Sequence, residues 1–168
     1  MRKIKLFIAC SLDGFIAREN GGIDWLLTGD YGYKKFYASI DTVLMGRKTY
    51  ELGLKLGETY MEKRTIVFTK QKNLKKVGNV KLVSDIVSFT KKLKKQKGKD
   101  IWLVGGGEIV SVLLNNKLVD EMQIFVHPIV LGKGIPLFPN IKKEVKLKLV
   151  ETFAFKDGLV KMNYSVRE

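Results

Sequence analysis

The apolar run Ile101-Trp102-Leu103-Val104 stops abruptly at Gly105-Gly106-Gly107, and from Glu108-Ile109 onward the apolar positions recur at helical spacing. Strand, glycine turn and helix in that order demand a sheet with a helix packed back onto it. They also leave the first amides of the helix beside backbone that a ligand can approach closely, which is an anion site. The stretch lacks the Lys-Ser/Thr of a P-loop and the spaced glycines of a dinucleotide fingerprint, so taken alone it reads equally as a tight packing turn.

The remaining chain supplies the sheet. Lys3 to Cys10 is apolar enough for a buried central strand, and Thr42–Met45, Thr65–Thr69, Val80–Val83 and Met122–Val126 read as others. Tyr33, Phe36, Tyr37 and Ile40 fall at i, i+3, i+4 and i+7, which predicts an amphipathic helix over Asp30–Ile40 with Asp30 as an N-cap. Gly46-Arg47-Lys48-Thr49-Tyr50 turns from a strand into another helix, and a lysine-rich amphipathic segment leads to Ile101. Two long alternating segments meet at Asp157-Gly158, with Val160, Met162, Tyr164 and Val166 on one face: a hairpin. Strands alternating with helices and a closing hairpin predict one α/β domain over residues 1–168, mostly parallel with an antiparallel edge.

The formal net charge of +14 favours anionic partners: nucleic acid, acidic membrane surfaces or phosphorylated small molecules. Lys91, Lys92, Lys94 and Lys95, interleaved with Phe89 and Leu93, read as the solvated face of a helix. No aromatic platforms accompany them, and no nucleic-acid-binding signature is present, which argues against nucleic acid. The single cysteine, Cys10, ends an apolar run and reads as a core thiol, fitting a reducing cytoplasm. No run is long enough to span a membrane, no signal peptide is evident, and no cluster has metal-ligand spacing; a cytoplasmic protein without a metal is expected.

Ligands of open α/β sheets collect beyond the carboxyl ends of parallel strands. Three such ends carry Gly46-Arg47-Lys48-Thr49, Thr69-Lys70 and Gly105-Gly106-Gly107: cations, hydroxyls and free amides suited to an elongated phosphorylated ligand.

Met45-Gly46-Arg47-Lys48-Thr49-Tyr50-Glu51 together with Val104-Gly105-Gly106-Gly107-Glu108-Ile109 resembles the dihydrofolate reductase superfamily. Ser11-Leu12-Asp13-Gly14-Phe15-Ile16-Ala17 and the segment from His127-Pro128 through Leu131-Gly132-Lys133-Gly134 to Phe138 are similar to the branch holding the riboflavin-biosynthesis reductase domain and its stand-alone bacterial relatives. The resemblance runs nearly the whole length. It implies a dihydrofolate-reductase-like sheet of eight strands and an NADPH-dependent reductase, with a homodimer as the assembly common in that branch. It places Gly46, Arg47, Lys48 and Thr49 at the cofactor's phosphates, and Thr69 and Lys70 near the adenosine 2′-phosphate. Gly105 and Gly106 match a glycine pair joined by a cis peptide against the cofactor, with Gly107 and Glu108 completing the turn. Glu108 also reads as a first-turn helix acid. Ala9 and Ile16 match positions lining the nicotinamide.

On the substrate side, Trp25 and Asp30 keep the spacing of the folate reductases' active-site tryptophan and acid. A partly buried carboxylate there would help bring a proton to the C=N bond that receives hydride. Two departures separate this chain from its models. Phe15 stands where riboflavin-pathway reductases usually carry lysine, and Arg64, the nearest match to the folate-tail arginine, is spaced differently and begins a strand. His127, the only histidine, precedes Pro128 at a strand end and reads first as a packing or hydrogen-bonding residue. The expected activity is hydride transfer to a flat heterocycle, a pyrimidine of the riboflavin pathway or, as the alternative, a pterin in a true dihydrofolate reductase. The alternative of another class is a non-catalytic nucleotide- or nucleic-acid-binding protein.

Overall fold

The apolar runs form strands because both faces of one sheet are covered. The computed structural model describes residues 1–167. In chain order its strands are β1 (Ile4–Ser11), β2 (Phe15–Ala17), β3 (Ile40–Gly46), β4 (Arg64–Phe68), β5 (Val80–Val83), β6 (Asp100–Gly105), β7 (Glu121–His127), β8 (Ile135–Pro136), β9 (Leu147–Ala154) and β10 (Val160–Val166). The helices are α1 (Tyr33–Ala38), α2 (Arg47–Lys55), α3 (Ile86–Lys94) and α4 (Gly107–Asn115). Eight strands make one sheet in the order β5-β4-β3-β6-β1-β7-β10-β9. The first six are mutually parallel, and β10 and β9 add antiparallel at the edge.

The period-2 alternation of each strand divides the core in two. Ile4, Leu6, Leu44, Ile66, Ile101 and Leu103 face one side, where Val110 and Leu113 of α4 and Leu93 of α3 cover them. Val43, Met45, Val67 and Trp102 face the other, beneath Phe36 of α1 and Tyr50 of α2. Phe7 belongs to that second side, its ring stacked 4.3 Å from Phe36 and its carbonyl accepting the Trp102 Nε1–H at 3.1 Å. Cys10 is buried, and burial pushes its thiol up to about 11, which suits a core position.

Four local expectations change. The helix expected over Asp30–Ile40 is only Tyr33–Ala38, because Gly32 enters it at φ 92° and Ile40 already opens β3. Thr69 lies just past β4, which ends at Phe68. The segment after β7 is not wholly loop: its β8 pairs with β2 in a two-stranded antiparallel sheet. Lys94, expected in solvent, is buried, and its Nζ donates to Asp120 Oδ2 at 2.6 Å and to the Leu118 carbonyl at 3.2 Å.

Candidate active site

Neighbouring strands β4, β3, β6 and β1 bring four C-terminal ends into a row, in register through Gly46↔Phe68 and Met45↔Gly105. At roughly 4.8 Å per strand the row is about 14 Å long, a span for an extended ligand rather than a single phosphate. Two of its ends open into helices, α2 after Gly46 and α4 after Gly106. Neither N-terminus receives a side-chain cap, so both leave first-turn amides free. They are close together: a Cβ built on Gly46 would come 4.0 Å from the Gly106 nitrogen and 3.2 Å from Ile109 Cγ1. One on Gly106 would meet Thr49 Oγ1 at 3.4 Å and Ile16 Cδ1 at 3.8 Å. Glycines here keep open a groove between two helix ends that any side chain would narrow. The Gly105–Gly106 peptide is cis.

Gly107 has a different reason to be glycine. Its missing side chain faces the Pro136 carbonyl, with the Leu137 carbonyl 3.1 Å and Pro139 Cδ 3.0 Å from a Cβ placed there. It packs the loop after β8 rather than opening toward the groove. Glu108 is exposed in the first turn of α4, where its charge complements the helix end; for a phosphate, the amides rather than this carboxylate are the suitable partners.

The cations stand at one end of the row. Arg47, 32% exposed, already gives its Nη1 to Glu51 Oε2 at 2.7 Å one helical turn on. Lys48 and Lys70 are exposed. Thr69 Oγ1 accepts the Gln71 N–H at 3.0 Å, shaping the turn that presents Lys70. At the other end, Ala9 of β1 pairs with Phe125 of β7, and Ser11 with His127. Arg64 lies at the N-terminal end of β4, bonded to Gln96 and remote from the row. A surface cleft of about 550 Å³, walled by Arg2, Lys95 and Asp100, also lies at that opposite end. Its arginine is committed to Asp41 and to Thr42 Oγ1, so the cleft does not compete with the row as a site.

Trp25 is buried against His127, ring centroids 5.3 Å apart and planes at 88°. Asp30 is exposed, its carboxylate accepting the Lys34 N–H at 3.0 Å. The N-cap position expected of Asp30 falls to Gly32, two residues on, because the helix starts later, so Asp30 reaches only a first-turn amide from outside the helix, and the partly buried environment is not observed. Tyr31 Oη donates to Asp157 in the β9–β10 turn. Burial pushes His127 below the ordinary imidazole range, opposed by its bond to the Phe125 carbonyl and by the Asp157 charge.

Residues 2–161 match the RibD C-terminal domain family. The chain belongs to that family. It is 43% identical over 161 residues to the uncharacterized protein YwjB of Bacillus subtilis (strain 168), a match covering 92% of each chain. A solved structure from Shewanella sp. PV-4, assigned to riboflavin biosynthesis, is 28% identical with a TM-score of 0.87 and 99% of each chain covered. Dihydrofolate reductase from Enterococcus faecalis, complexed with NADP(H), shares the fold with a TM-score of 0.77 at 20% identity, over 99% of this chain and 97% of that one. The eight-stranded sheet is dihydrofolate-reductase-like.

Within this RibD C-terminal-type domain the two branch-specific segments turn out to be halves of one structure. Asp13 accepts N–H bonds from Leu131 at 3.1 Å and Gly132 at 2.7 Å, and the Ser11 hydroxyl bond at 2.6 Å. The Ser11 hydroxyl and then those amides hold its carboxyl below the usual range. Leu12 N–H donates to the Ile129 carbonyl at 2.8 Å, and Leu137 N–H to Gly14 at 2.9 Å. Nothing local in the sequence marks Asp13 as the partner of an amide 118 residues away. Among the described residues no group of three or more His, Cys, Asp or Glu is placed to hold a metal ion, and no helix is long and apolar enough to cross a membrane.

Proposed function

We propose that this chain is an NADPH-dependent reductase acting on a small flat heterocycle, of the 5-amino-6-(5-phosphoribosylamino)uracil reductase type. The observation that carries this reading is the pair of uncapped helix N-termini opening side by side across the glycine groove. The amides of α2 and α4 with Thr49 suit a diphosphate, Arg47 and Lys48 add charge beside it, and Lys70 with Thr69 suits a further phosphate at the β4 end. Ala9 and Ile16 are the apolar surfaces for the nicotinamide, and Trp25 and Asp30 are the substrate-side residues. Bound there, NADPH supplies a hydride; the chain holds it and the heterocycle in contact and shields both from water. A dihydrofolate reductase is the second reading, supported by Trp25 beside the strand ends, and dihydrofolate is therefore the comparison substrate. The fitting site is the cytoplasm, where NADPH is kept reduced.

Titration of the protein with NADPH and with NADH tests this directly. Trp25 fluorescence is expected to be quenched by both, with NADPH bound at least about tenfold more tightly, the worth of one charge-assisted contact. If neither nucleotide binds, the glycine groove is a packing turn, and salt-sensitive retention on DNA becomes the reading to pursue.

A homodimer belongs to the same proposal. β9 is the sheet edge, and it is exposed along its whole length: Leu149 at 52%, Val150 at 67% and Phe153 at 55%. An apolar edge strand with unpaired backbone groups invites pairing with a second copy. Sedimentation is expected to give twice the mass of the chain, and V150E/F153E to give the monomer; a wild-type monomer would remove the dimer.

A further inference from the structure

The fold contains two tryptophans and treats them differently. Trp102 Nε1–H is satisfied by the Phe7 carbonyl at 3.1 Å. Trp25 Nε1 is buried with no partner among the described residues, an arrangement that costs free energy unless something supplies an acceptor. Two other buried atoms share that condition, on Thr90 in α3 and Asn163 in β10, but neither lies at the C-terminal strand ends.

The residue against the Trp25 ring is His127, 3% exposed and edge-to-face with it. His127 Nδ1 lies 3.1 Å from the Phe125 carbonyl, which can only accept, so Nδ1 carries the proton. In the neutral ring favoured by burial, Nε2 is then an acceptor, and no residue described here donates to it. A free buried donor and a free acceptor are therefore carried by two rings whose centroids are 5.3 Å apart. The register fixes where. Phe7, Ala9, Phe125 and His127 lie on one face of β1 and β7, where Phe36 of α1 stacks on Phe7 and the Phe7 ring lies 4.4 Å from Phe125. Ala9 is level with Phe125 and His127 is level with Ser11, toward the strand ends where the heterocycle is placed by the proposed reductase reading.

The geometry points to Trp25 and His127 as a donor–acceptor pair that reads a lactam edge, an N–H beside a C=O, on the flat heterocycle. Trp25 Nε1–H donates to the carbonyl oxygen and His127 Nε2 accepts from the ring N–H. The inference rests on that reductase reading and narrows its substrate to rings with such an edge. It also assigns a contact to His127 that the exposed Asp30 does not make.

Calorimetric titration with lumazine and with 1,3-dimethyllumazine, each with and without NADP+, tests the pair. The two probes share their carbonyls and ring, and only lumazine has the ring N–H groups. Lumazine is expected to bind at least about tenfold more tightly, because the dimethyl compound leaves His127 Nε2 desolvated and unpaired. H127F is expected to bring the ratio close to one, and H127Q, whose amide oxygen is again an acceptor, to restore part of it. W25F removes the donor to a carbonyl present in both probes, so it is expected to weaken both by the same factor. Equal binding of the two probes to the wild type, a ratio that survives H127F, or no lumazine binding overturns the inference. Because the wild-type ratio decides by itself, a variant that fails to fold does not rescue it. Failure of NADP+ to bind would strike the reductase reading, while the probe ratio without nucleotide still judges the pair.

Discussion

The double substitution R47A/K70A is expected to weaken NADPH binding about a hundredfold and NADH binding about tenfold or less. Each hydrogen-bonded contact between a cation and a phosphate contributes on the order of 1.5–3 kcal/mol, about tenfold or more in affinity. NADH presents the diphosphate but no 2′-phosphate, so it can lose only what Arg47 gives. Arg47 is expected to be the weaker contributor of the two. Its Nη1 is held by Glu51 at 2.7 Å, and a phosphate must either displace that carboxylate or use the remaining edge of the guanidinium. Lys70 is exposed beyond β4, on a turn ordered by the Gln71 N–H to Thr69 Oγ1 bond. K70A alone is therefore expected to remove most of the preference for NADPH while leaving NADH binding unchanged. Calorimetric dissociation constants for both nucleotides read the result. Equal losses for NADPH and NADH would undo the assignment of Lys70 to the 2′-phosphate, and no loss for either would remove both residues from the site.

The elements that position this groove are legible in the chain because they depend on local rules. Ile101–Val104 and Thr42–Met45 are continuous apolar runs, the mark of parallel strands covered on both faces. The glycine turn announces a close backbone approach. What periodicity cannot show is which polar residues find partners far along the chain. Asp13 and Leu131, Trp25 and His127, Tyr31 and Asp157 meet only when the strand ends and the β9–β10 turn are assembled. Glycine is ambiguous in the same way: Gly106 opens the groove and Gly107 seats a loop, yet the sequence presents them as equals. β9 alternates like its partner, but lying at the sheet edge it buries neither face. Asp30 keeps a catalytic spacing, but Gly32 starts the helix later than the apolar pattern suggests and leaves the carboxylate in solvent.

Lys94 shows the same limit most sharply and carries the largest expected effect on stability. Within Lys91-Lys92-Leu93-Lys94-Lys95 nothing marks one lysine as different. Yet Lys94 has a side chain only 10% exposed, and it reaches Asp120, 26 residues away, at 2.6 Å. Asp120 Oδ2 also accepts the Ile4 N–H at 2.7 Å, so one carboxylate ties α3 and the start of β1 to the turn before β7. D120A is expected to destabilise the protein by about 3 kcal/mol, since it strands a buried ammonium and leaves the Ile4 amide unpaired. The lower end of the range for breaking a buried pair applies because the Asp120 side chain is 35% exposed. For a chain of this length that is a drop in Tm of about 10 °C. K94M is expected to cost much less: the apolar chain fills the same space, and Asp120 keeps both solvent and the Ile4 N–H. Thermal and urea unfolding of the two variants measure this asymmetry. Equal losses would mean that the ion pair itself, rather than the buried unpaired charge, sets the cost. A larger loss for K94M would mean that the Leu118 carbonyl, 3.2 Å from Lys94 Nζ, is the bond that matters.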